Sequence, residues 1–289
     1  MMIDLRERIL DVLFSTTEKL VLNQRENEGA DTADIQKQIS ESVLALKQSA
    51  IIDNGGVDYT KLRTGKLYKN FQQTTAACLR NFNPADLLTQ EEKLSFWINL
   101  YNLLTIDAVL QFNVQNSVTE GWFGVISFFR RAAYLIGGLR YSLEDIEHGI
   151  LRVNRGMPFF PGKQFAEDDP RLAFVLNTFD ARIHFALNCA SRSCPPIAYY
   201  TTEGINKQLD IAAANFIQGE ITLDKSGVML GVPRIFKWYA KDFGGKIGIL
   251  ELVRGFLPED DVRRKLIENF GRNVMMQFLP YDWHLNTFA

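Results

Sequence analysis

A chain of 289 residues, 46% hydrophobic and 23% charged, has the composition of an ordinary globular protein and enough length to bury a core without disulfide staples. Its 32 basic and 34 acidic side chains leave a formal charge of −2, which argues against the basic face that nucleic-acid binding needs. Three cysteines are too few, and odd in number, for a secreted disulfide framework.

The first 22 residues space Leu5, Ile9, Val12 and Leu13 as an amphipathic helix. Asp4 and Glu7 interrupt what an export signal requires, so the segment reads as part of the mature protein and the cytoplasm as the default location. A polar stretch from Asn23 reads as a linker. Helical spacing returns over residues 39–46, Gly55 and Gly56 mark a turn beside a short strand, and residues 62–79 read as helix with Cys78 in the core.

Residues 89–112 carry the strongest helix signal. Thr89 and Glu92 have capping-box spacing, and Leu94, Trp97, Ile98, Tyr101, Leu104, Ile106 and Leu110 make the segment apolar on nearly all sides. It reads as a central, buried helix. Asn99 and Asn102 fall inside it, and buried amides must find partners, either by bracing neighbouring loops or by serving a site. The apolar run from Trp122 is broken by Arg130 and Arg131, well short of the ~18 residues of a membrane span, and reads as a buried helix with snorkelling arginines. A short strand follows Gly137 and Gly138, then a helix capped by Ser142 that carries Glu147 and His148. Residues 205–217 are helical, 220–236 form a hairpin turning at Asp224 to Gly227, and the last third returns to helix before an aromatic tail.

The chemistry-bearing residues concentrate in "DARIHFALNCASRSCPPI", residues 180–197. Its first half echoes "DPRLAFVLN" at 169–177, Asp169 matching Asp180, Arg171 matching Arg182, and Phe174 matching Phe185. As a strand, the second copy puts Arg182, His184, Ala186 and Asn188 on one face and Ile183, Phe185, Leu187 and Cys189 on the other. The first copy fits a strand or a helix capped at Asp169 and Pro170. Four chemistries fit the stretch. A nucleophilic Cys194, next to Arg192 and served by His184 as base, needs an orienting group from Asn99, Asn102, Asp180 or Glu147. A metal site would use His184, Cys189 and Cys194 with His148 or His284, at spacings unlike those of common zinc sites. Cys189 and Cys194 could instead form a local redox pair, or the stretch could be a structural centre of an interaction module.

Five motifs in order resemble the domain of unknown function family 547: "FWINLYNLLTI", "LEDIEHGILR", "IHFALNCASRSCPPI", "IFKWYAKDFGG" and "YDWHLN", spanning roughly residues 57–286. The resemblance singles out Trp97, Asn99, Tyr101, Asn102, Glu147, His148, Arg152, His184, Cys189, Cys194, Trp238, Asp242 and Trp283, but brings no settled activity. A fainter likeness links a long buried helix and a histidine-bearing segment to papain-type and transglutaminase-type cores. Those place their cysteine at the start of the central helix, whereas none lies between Cys78 and Cys189 here.

These readings predict a helix-rich α+β fold, a central buried helix on a small, mainly antiparallel sheet, with a helical extension over residues 1–56 and a core over 57–289. The predicted function is cysteine-dependent acyl transfer or hydrolysis on a peptide or amide-like substrate, with a non-catalytic protein-interaction or small-molecule-binding module as the alternative. Cys194, His184, Asn99, Asn102, Glu147 and His148 are the candidate site residues. No cofactor, metal, nucleic acid or transmembrane segment enters this expectation.

Overall fold

The computed structural model describes residues 20–25, 32, 34–51, 56–120, 124–158 and 160–287. Most of the amphipathic helix expected at the N-terminus lies outside them. The fold is α+β, and the chain divides into two compact units.

The first unit takes Met1–Asp180, Leu187–Ile205 and Trp283–Ala289. It opens with α1 (Ile35–Ala50), whose Ile35, Ile39, Val43 and Leu46 form a buried stripe at helical spacing. The helix expected at 62–79 is divided into α2 (Tyr59–Thr64), α3 (Lys66–Gln73) and α4 (Thr75–Cys78). Gly65 separates the first two in extended backbone, and Cys78 is a buried thiol.

The core is built around α5 (Gln90–Gln111). Thr89 accepts from Glu92 N–H while the Glu92 carboxylate accepts from Thr89 N–H, a reciprocal cap of the kind that contributes about 1 kcal/mol. Every residue from Leu94 to Leu110 is buried, so this helix has no solvent face between its first turn and Gln111. It packs on α1 and on the segment following Ser142.

After α6 (Gly124–Arg131), strands β1 (Ala133–Ile136) and β2 (Leu139–Ser142) pair antiparallel around Gly137 and Gly138, both at positive φ. Tyr141 stacks beside Trp97 at 5.1 Å, fixing the hairpin to α5. Arg130 is buried and pairs with Glu144 at 3.3 Å, whereas Arg131 lies over the Phe112 ring. No helix among the described residues is long and apolar enough to cross a membrane.

The second unit takes Ala181–Ala186 and Asn206–Asp282. It holds α7 (Ile205–Glu220), β3 (Thr222–Leu223), β4 (Met229–Val232), α8 (Ile235–Trp238), α9 (Gly245–Phe256), α10 (Val262–Phe270) and β5 (Met275–Phe278). The expected hairpin is β3–β4, antiparallel; β5 joins β4 in parallel, so this small sheet is mixed. Phe185 enters its core among Phe216, Phe236 and Phe243.

One local expectation is corrected. Residues 181–185 form a 3-10 helix instead of a strand, so the alternating faces drawn for Arg182 to Cys189 do not exist. The echo at Pro170–Phe174 is also a 3-10 helix, with Asp169 capping it through Arg171 N–H at 2.8 Å. Each copy is a short tight turn, where apolar content alone cannot separate helix from strand.

Candidate functional site

In the first unit, three polar side chains within one turn of α5 reach three different segments. Asn99 accepts from Tyr200 N–H at 2.9 Å and donates to Tyr200 C=O at 2.7 Å. Tyr101 donates to Glu147 at 3.0 Å, and Asn102 accepts from Asn188 N–H at 2.9 Å. Both asparagines are fully buried and brace backbone on either side of "CASRSC". Such pairing is what makes a buried amide tolerable in an otherwise apolar helix.

The loop they hold contains a disulfide between Cys189 and Cys194, five residues apart. Ala190 turns the chain at φ 64°. Asn188 closes the turn from outside, its carboxamide accepting from Ala190 N–H at 2.8 Å and donating to Pro195 C=O at 2.6 Å. The C-terminal segment runs alongside: Arg192 N–H donates to His284 C=O, and Asn286 N–H to Ala190 C=O, each at 2.9 Å. Inside the loop, Cys194 Sγ receives Cys189 N–H at 2.9 Å and the Ser191 hydroxyl at 3.5 Å. Cys189 and Cys194 are half-buried and Arg192 is exposed.

Glu147 and His148 lie on a π-helix, Asp145–Leu151, a form that often accompanies functional positions. Ser142 and Asp145 cap it reciprocally. Burial opposes ionisation of Asp145, yet Arg171, Arg140 and the Ser142 donors outweigh it and hold the carboxyl down to about 2. His148 Nδ1 lies 3.7 Å from the Glu147 carboxylate and 3.1 Å from the Arg152 guanidinium. A guanidinium only donates, so Nδ1 is an acceptor there.

In the second unit, His184 Nε2 sits 2.9 Å from Asp242 Oδ2, with both side chains 2% exposed or less. Tyr239 stacks on the imidazole at 4.0 Å and Phe243 at 5.2 Å. Against a carboxylate Nε2 must donate, which makes Nδ1 the basic nitrogen of a neutral ring. Asp242 belongs to the motif "IFKWYAKDFGG", outside the set Asn99, Asn102, Asp180 and Glu147 that the sequence offers as orienting groups. Nothing local marks it, because the pair spans 58 positions.

Five of the six candidate residues, Cys194, Asn99, Asn102, Glu147 and His148, thus belong to the first unit and His184 to the second. The two cysteine sulfurs of the metal reading are bonded to each other, and no group of three or more His, Cys, Asp or Glu side chains among the described residues is arranged to hold a metal ion.

Residues 85–217 match the model of the family described as a protein of unknown function, DUF547. No curated protein and no solved structure matches the chain.

Proposed function

We propose that the protein is a cysteine-dependent acyl transferase or hydrolase acting on a peptide or amide-like substrate, with Cys194 as nucleophile. The observation that carries this reading is the donor set on Cys194 Sγ, the Cys189 N–H at 2.9 Å and the Ser191 hydroxyl. Donors directed at sulfur favour the thiolate, which is the nucleophilic form. A dithiol reductant opens the Cys189–Cys194 bond, becoming a disulfide itself and leaving two thiols. The Cys194 thiol gives its proton to a general base and attacks the carbonyl carbon as thiolate, the protonated base returns that proton to the departing amine, and water or an acceptor amine takes the acyl group from sulfur.

Of the two buried histidines, His184 has the chemistry of a base, since Asp242 fixes its tautomer and balances the imidazolium. His148 gives Nδ1 to a guanidinium and suits that role less. Asn99, Asn102 and Glu147 act in this reading as positioning residues. A second reading, a non-catalytic binding module with a structural Cys/His centre, is favoured by the depth at which His184 and Asp242 are buried.

The test is the alkylation rate of Cys194 in reduced protein against pH, followed by mass spectrometry. The enzyme reading expects the rate to titrate well below the ordinary ~8.5. An ordinary thiol profile would move the assignment to the binding module.

A further inference from the structure

We infer that Arg192 selects substrates bearing a carboxylate beside the bond that Cys194 attacks, so that the substrate class is an acidic peptide or amide. The inference rests on the reading of Cys194 as the reacting residue. The loop backbone around Arg192 is pinned on both sides, by Arg192 N–H on His284 C=O and by Asn286 N–H on Ala190 C=O, each at 2.9 Å. Cys194 N–H closes the same turn onto Ser191 C=O at 3.1 Å. A rigid turn therefore carries a guanidinium two residues from the reactive sulfur.

Four arginines elsewhere in the chain are held in ion pairs. Arg130 is on Glu144, Arg171 on Asp145 and Asp169, Arg182 on Asp210, and Arg263 on Asp261. Arg192 is exposed, and among the described residues its side chain has no ion-pair or hydrogen-bond partner. A guanidinium presented without a partner is suited to a bidentate carboxylate. An unpaired cation near a thiolate also attracts any anionic reactant, by an amount that salt screens.

The experiment compares two alkylating reagents on the reduced full-length protein: iodoacetate, which is anionic, and iodoacetamide, which is neutral. In both, the Cys194 thiolate displaces iodide from the same carbon, so the ratio of rates cancels the thiolate fraction and isolates charge. Correcting for the ratio measured on a free cysteine peptide, low-salt buffer is expected to show a preference for iodoacetate of roughly three- to tenfold. Molar salt should erase it in the unaltered protein. Arg192→Gln should remove it and Arg192→Lys should keep most of it. A corrected ratio near one in the unaltered protein, or a preference that survives Arg192→Gln, overturns the inference while leaving the nucleophile assignment intact. A slow iodoacetamide rate alone overturns that assignment and leaves the ratio to decide the role of Arg192.

Discussion

At the scale of single residues, the centre of the first unit depends on two amides. Asn102 gives an acceptor to Asn188 N–H, and Asn99 gives one to Tyr200 N–H. Asn102→Ala leaves a buried N–H without its acceptor and should cost about 1–3 kcal/mol. Asn99→Ala removes an acceptor and a donor from Tyr200 and should cost at least as much. Urea denaturation measures both, and Asn102→Ala should also raise the rate at which a reductant opens the Cys189–Cys194 bond. Unchanged stability in both variants would refute the bracing role. The amides themselves are legible in the sequence, because an asparagine in a helix apolar on every side demands a partner. The identity of the partner is not, since Asn188 and Tyr200 are about a hundred residues downstream.

At the scale of elements, legibility follows how local the determinants are. The cap at Thr89 and the apolar run behind it specify α5 within a few turns, and the Asp224–Gly227 turn specifies the β3–β4 hairpin. The segment 181–185 offers no such local instruction. Its Phe185 is held by Phe216, Phe236 and Phe243, and those contacts settle a tight turn where alternation suggested a strand. β5 is equally silent, because its partner β4 is a parallel strand far earlier in the chain. The same argument applies to Asp107, which joins α5 to α3 and β1. It accepts from Tyr68 at 2.5 Å, Tyr134 at 2.7 Å and Gln111 at 2.9 Å. Burial raises its pKa, and the four hydroxyl and amide donors around it only partly offset that. The native state therefore holds this proton to higher pH than the unfolded chain does. Below the unfolded value of ~3.9 both states are protonated and the carboxyl costs nothing through ionisation. As pH rises from there through the raised folded value, stability falls by about 1.4 kcal/mol for each unit of elevation. Denaturation curves at several pH values should show the unaltered protein losing ground to Asp107→Asn across that window and running parallel to it above. A gap independent of pH would mean that Asp107 is not shifted by its burial.

At the scale of the whole molecule, the question is what reducing one bond does to a chain that crosses between two units. The chain leaves the first unit at Asp180, returns at Leu187, and leaves again after Ile205. The disulfide lies in the returning segment and closes a loop with a sequence separation of 5. A loop that short restrains little of the unfolded ensemble, so its loss should cost about 2 kcal/mol. The native loop has independent ties through Asn188, Ala190, Arg192 and Asn286, none of which passes through sulfur. Reduction is therefore expected to lower the melting temperature by roughly 4–8 °C, at the 2–4 °C per kcal/mol typical of larger domains, without changing the far-ultraviolet spectrum. Calorimetry with and without a phosphine reductant, repeated on Cys189→Ser, checks both halves of this expectation. A collapse of structure on reduction would make the bond a structural staple and would exclude a thiol that acts in the folded protein. Survival with a modest shift is what the proposed Cys194 nucleophile requires, because on that reading the thiol acts in the folded, reduced protein.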